Sequence, residues 1–132
     1  MMKYIISIIA ILGLFINSVF AGGHKKIKVG MITTLSGGGS GLGIDVRDGF
    51  LLAVKGDKHF EVIVKDDQRK PDIAVQIADK MIQSDKVDVL TGIIWSNLAM
   101  AVVPAAVKQG KFYLSPNACL LYTSDAADEL RS

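Results

Sequence analysis

The feature that most constrains this chain is an alternation of period-two and period-3.6 segments between residues 26 and 114. Lys26 to Thr33 (KIKVGMIT) alternates and is rich in β-branched residues, which predicts a strand. Thr34 to Gly43 reads as a glycine-rich loop, and Ile44 to Lys55 as a helix stopped by Gly56. Phe60 to Lys65 is a second strand, followed by the polar run Asp66 to Lys70. Pro71 stands where a first helical residue loses nothing by lacking an N–H, so a helix is expected from Pro71 to Gln83. Its apolar face carries Ile73, Ile77 and Met81, with Ala74, Ala78 and Ile82 beside them. Val87 to Ile93 is a third strand. A third helix, capped by Ser96 or Asn97, runs to about Lys108, bent by Pro104 and stopped by Gly110. Lys111 to Leu114 is a short fourth strand.

Strands that alternate with helices require long crossovers. The expected fold is therefore α/β: a Rossmann-like parallel sheet with helices on both faces. In such sheets ligands bind beyond the carboxyl ends of the strands. That rule selects three loops: Leu35 to Gly43, Trp95 to Leu98, and Ser115 to Ala118.

Residues 1–21 read as a secretory signal peptide. Lys3 is a short positive start, Tyr4 to Phe15 is uncharged and apolar, and Ser18-Val19-Phe20-Ala21 offers a cleavage site after Ala21. Tyr4 to Phe20 is near the lower limit of ~17 residues for a spanning helix, but Asn17 and Ser18 interrupt it and no basic flank follows. Periplasmic export is therefore expected. The part from Gly22 onward, about 110 residues, suits one small domain. The whole chain has a net charge of +2 and no basic block, so nothing points to nucleic acid. With Cys119 as its one cysteine, a disulfide within the chain is excluded, and two isolated histidines do not suggest a metal site.

Glycines 37, 38, 39, 41 and 43 fit neither GxGxxG nor GxxxxGK, so neither a dinucleotide nor a phosphate cradle is indicated and no cofactor is expected. The loop is either a flexible turn or a backbone that approaches a small ligand. Ser96 is either a helix cap or a hydroxyl donor to a ligand carboxylate, and Trp95 either walls a pocket or packs. Asp66 and Asp67 lack a histidine or third carboxylate and read as solvated loop residues. With no GxSxG, HExxH or CxxC, no catalytic residue is assigned.

The ordered set KIKVGMITTLSGGGSGLG, FEVIVKDDQRKPDIAVQIADKMI, VDVLTGIIWSN and KFYLSPNA resembles the periplasmic substrate-binding proteins of ABC importers, of the branched-chain amino-acid type. The resemblance covers residues 26–118. It implies a two-lobed, hinged, non-enzymatic receptor that closes on its ligand and delivers it to an inner-membrane permease. Residues 22–118 would then be part of the N-terminal lobe of a type I periplasmic binding protein. By resemblance, Ser96 helps hold an α-carboxylate, Asn117 and Ala118 offer backbone groups to both ends of an amino acid, and the loop from Ser36 to Leu42 borders the pocket. Leu42 replaces an aromatic that contacts ligand in some members, and Trp95 beside Ser96 is a second departure. The expected ligand thus widens to an amino acid or related small carboxylate, aromatic acids included.

Two other readings fit part of the pattern. One is a Rossmann-type nucleotide enzyme with Asp66 as the ribose-binding acid, and the other is a ligand-sensing domain of a membrane receptor. The tail stands apart. Residues 119–129 (CLLYTSDAADE) read as a translated transposase-end sequencing adapter. Residues 119–132 are accordingly expected not to belong to the native protein, and the chain to be an N-terminal fragment.

Overall fold

The computed structural model describes residues 25–116. The signal peptide and the tail expected from the sequence lie outside them, as do Asn117 and Ala118. The elements alternate in chain order: β1 (Ile27–Thr33), α1 (Ser40–Ala53), β2 (Phe60–Asp66), α2 (Pro71–Gln83), β3 (Val89–Thr91), α3 (Ser96–Lys108) and β4 (Phe112–Leu114). The strands form one sheet in the order β2-β1-β3-β4, and every neighbouring pair is parallel. The expected α/β fold is therefore the observed one.

Register sorts the side chains into two faces. Val29 pairs with Val62 and with Val89, and Val89 pairs with Phe112, so these four share one face. Gly30 pairs with Ile63 and Leu90, and Leu90 with Tyr113, which places these residues on the other face with Ile32. The second face carries the main core. Ile32 and Leu90 pack there with Ala74, Ala78, Met81 and Ile82 of α2 and Leu98, Ala99, Val102 and Ala106 of α3. A Cβ on Gly30 would come within 2.8 Å of both the Met81 sulfur and Leu90 Cδ2. Absence of a side chain there lets α2 settle against β1. The deepest row of α2 is accordingly Ala74, Ala78, Met81 and Ile82, and Ile73 and Ile77 are only half-buried flanks.

Helix α1 covers the opposite face, over β1. It starts four residues earlier than its periodicity suggests, and Gly41 and Gly43 lie inside it. Gly43 explains the close approach, because a Cβ there would lie 1.9 Å from the Thr34 carbonyl oxygen. Toward β4 this face is open: Phe112 is 67% and Leu114 52% exposed. The third and fourth strands are shorter than expected, by two residues at each end of β3 and one at the start of β4. Among the described residues, no helix is long and apolar enough to cross a membrane.

Candidate functional site

The sheet order creates a switch point. β1 lies between β2 and β3, and the chain leaves β1 toward α1 on one face but leaves β3 toward α3 on the other. The loops that follow β1 and β3 lie side by side at the carboxyl edge, the place where sheets of this kind receive ligands.

The loop after β1 is tied down by the loop after β2. Asp66 accepts hydrogen bonds from Leu35 N (2.8 Å), Gln68 N (2.9 Å) and Ser36 Oγ (2.5 Å). Partial burial pushes the Asp66 carboxyl up, but the bonds from Ser36, Leu35 and Gln68 outweigh it and hold the group below its ordinary value. Ser36 therefore commits its proton to Asp66 and keeps only acceptor capacity toward a ligand. The carboxylate that a nucleotide enzyme would present to a ribose is already occupied.

Asp67 overturns the expectation of a solvated pair. It is fully buried, and its Oδ1 accepts from Thr34 Oγ1 at 2.6 Å and from Arg69 N at 2.8 Å. Its Oδ2 has no hydrogen-bond partner among the described residues. The Thr34 hydroxyl in turn accepts from Trp95 Nε1 at 2.9 Å. Around this turn Gln68 and Arg69 both take left-handed backbone angles, φ 52° and 59°. Such conformations cost roughly 1–3 kcal/mol each away from glycine, and here the two aspartates hold them. The result sends Arg69 across the edge: its guanidinium carbon sits 3.9 Å from the Trp95 ring centroid, and Nη1 donates to the Gly38 carbonyl at 3.4 Å. Gly39, at φ 86°, leaves room for the indole, since a Cβ there would lie 2.5 Å from Trp95 Cζ2.

Ser96 is not the cap expected of it. The N-cap is Trp95, with extended backbone angles and no side-chain cap bond, and its carbonyl starts α3 by accepting from Ala99 N at 3.0 Å. Ser96 is the first helical residue. It is half-buried, and its hydroxyl makes no hydrogen bond to a described residue. The first N–H groups of a helix have no intrahelical partner, so this hydroxyl stands beside free donors and the positive end of the helix dipole. That combination is suited to an anion.

Of the residues expected at the site, Ser36 and Trp95 lie on loops that meet at this edge, and Ser96 opens α3 beside them. Leu42 lies on the first turn of α1 and is 57% exposed. The end of β4 is drawn to the same edge, because Thr91 Oγ1 donates to the Leu114 carbonyl at 2.7 Å and Tyr113 Oη to the Ile93 carbonyl at 3.3 Å. Sequence reasoning missed Thr34, Asp67 and Arg69. The signal available was the in-register pairing of β1 with β2, which sets Thr33 opposite Asp66 and so brings two threonines beside two aspartates. Among the described residues, no three His, Cys, Asp or Glu side chains gather as a metal site would require.

Comparison with known proteins agrees with this geometry. An ABC transporter substrate-binding protein from Sphaerobacter thermophilus is 29% identical, with a TM-score of 0.66 over 71% of this chain and 27% of its own. A solute-binding protein of an ABC transporter from R. palustris, in complex with benzoate, is 34% identical, with a TM-score of 0.65 over 70% of this chain and 28% of its own. A third, from Rhodopseudomonas palustris BisB5 in complex with 3,4-dihydroxybenzoic acid, is 32% identical, with a TM-score of 0.65 over 68% and 26%. The chain thus spans about a quarter of the length of these solved relatives. No curated protein matches it significantly. These neighbours are substrate-binding proteins rather than enzymes, and residues 26–130 match the periplasmic binding protein family. With that match across most of the sequence, on a parallel sheet of the type I topology, the chain belongs to the periplasmic binding protein family.

Proposed function

We propose that residues 22–118 are the opening part of the N-terminal lobe of an extracytoplasmic receptor for an ABC importer. Residues 1–21 export it, and it passes its ligand to an inner-membrane permease. The ligand is an amino acid or related small carboxylate, bound between two lobes. The observation that carries this reading is the start of α3 at the switch point, where the Ser96 hydroxyl has no partner among the described residues. Ser96 and the adjacent N–H groups receive the carboxylate, Trp95 forms a wall, and Asn117 and Ala118 supply backbone groups. Ser36 and Leu42 border the entrance. The benzoate and 3,4-dihydroxybenzoate complexes of the relatives support a carboxylate ligand.

Calorimetric titration of the full-length gene product with amino acids and small aromatic acids tests this reading. A carboxylate that binds wild type and is lost or weakened in Ser96→Ala supports it. Binding that ignores Ser96→Ala rejects the site. Residues 119–132 are not part of this receptor in our reading. The family match runs across that segment to residue 130, so the locus itself decides. Amplification from source DNA is expected to give a different sequence after codon 118, and a product still reading Cys-Leu-Leu-Tyr-Thr-Ser-Asp makes the tail native.

A further inference from the structure

We infer that Arg69 and Asp67 are positioning residues that hold Trp95 as the specificity-determining wall of the carboxylate site, an inference that rests on the binding reading above. Two contacts act directly on one indole, and two further features support them. Thr34 takes its N–H at 2.9 Å, and Asp67 fixes the Thr34 hydroxyl at 2.6 Å. The Arg69 guanidinium covers the ring at 3.9 Å, and Gly39 clears its edge. The arrangement is specific to orientation, because Thr34 Oγ1 must donate to Asp67 in order to accept from Trp95. Reversal of that hydroxyl would leave two donors facing each other.

Arg69 itself forms no ion pair with any described carboxylate. Its backbone N–H bonds to the buried Asp67, so the left-handed turn and the cation over the indole are set by the same carboxylate. A guanidinium stacked on an indole holds the ring by charge and by area at once. Trp95 directly precedes Ser96, so a fixed indole also fixes the chain that presents the proposed carboxylate-binding hydroxyl. Neither Arg69 nor Asp67 needs to touch the ligand for this to decide which ligand shapes fit.

The test uses the full-length receptor and titrates benzoate, 3,4-dihydroxybenzoate and leucine into wild type, Arg69→Ala, Arg69→Lys, Trp95→Ala and the Arg69→Ala/Trp95→Ala double variant. Arg69 is exposed, so its replacement leaves the core intact. Arg69→Ala is expected to change the ratio of aromatic to aliphatic affinities by about five-fold, in the same direction as Trp95→Ala. Arg69→Lys retains the cation but not the stacked plane, so it should fall between wild type and Arg69→Ala. In the double variant the Arg69 effect should vanish, because the residue it positions is gone. Indole emission, taken as the difference between wild type and Trp95→Phe, should shift in Arg69→Ala and in Thr34→Val. An unchanged affinity ratio in Arg69→Ala, or effects that add in the double variant, overturns the inference. If wild type binds none of the three probes but the emission shifts appear, the ligand class is wrong and the positioning role stands.

Discussion

Trp95 and Thr34 are joined by a 2.9 Å hydrogen bond that spans 61 residues and crosses from the end of β3 to the end of β1. It ties the loop after β3 to the loop after β1 at the switch point. Removal of its acceptor leaves a half-buried indole N–H without its partner and takes one of two donors from the buried Asp67 Oδ1. Thr34→Val is expected to lower stability by about 2–3 kcal/mol, while Thr34→Ser stays within about 1 kcal/mol. Denaturant unfolding of the full-length protein measures both, and equal losses would show that the hydroxyl is not what matters.

Ser96→Ala should separate binding from folding. Because Ser96 is the first helical residue and caps nothing, the change should alter stability by no more than about 0.5 kcal/mol. A hydrogen bond to a charged ligand group contributes ~1.5–3 kcal/mol, so affinity for the carboxylate should fall by about one to two decades. Thermal melts and calorimetry on the same samples check the two halves.

Two glycines of α1 should respond in opposite ways. Gly43→Ala drives a Cβ into the Thr34 carbonyl and should cost about 3 kcal/mol or more. At Gly49 a Cβ meets nothing within 4 Å, so Gly49→Ala should stabilise by roughly 0.5–1 kcal/mol through helix propensity. Chemical denaturation of the pair measures both signs.

The Asp66 carboxyl is held below its ordinary value in the folded state. Its ionised form therefore contributes stability that is complete above the unfolded value of about 3.8 and is lost as pH falls from there through the depressed folded value. In Asp66→Asn this acid-side loss should shrink, and stability at neutral pH should be lower because an amide is a poorer acceptor for Ser36 and Leu35. Urea unfolding across pH 7 to about pH 2.5 is the measurement.

Residues 25–116 produced alone should self-associate. Phe112 and Leu114 face solvent from β4, an edge strand, and Leu52 of α1 is 71% exposed. Size-exclusion chromatography with light scattering should report oligomers, and Phe112→Lys with Leu114→Lys should shift them toward monomer. A wild-type segment that runs as a monomer would contradict this.

Periodicity made the order of elements legible, and α2 shows how far that reaches. Pro71 has one good helical position, the apolar stripe has one period, and both ends of the helix stood where the pattern placed them. The start of α1 was not legible. Glycines read locally as loop, and only the close approach of α1 to the Thr34 carbonyl makes Gly43 a helical residue. The convergence of loops at one edge followed from topology, so the places of Ser36, Trp95 and Ser96 could be anticipated.

What the residues do there could not. The sequence by itself determined the α/β alternation, the parallel sheet and the edge at which its loops gather, because periodicity and crossover length are local properties of the chain. Tertiary structure alone decided that Asp67 is buried, that Asp66 is already engaged, that Ser96 is uncommitted and that Arg69 lies on Trp95. The aspartates and Trp95 are held by hydrogen-bond partners about 30 to 60 residues away, brought into register by β1 pairing with β2 on one side and β3 on the other. Hydrogen bonding at that range is a property of the packed loops, and no local pattern of residue types encodes which hydroxyl or carboxylate will be left free.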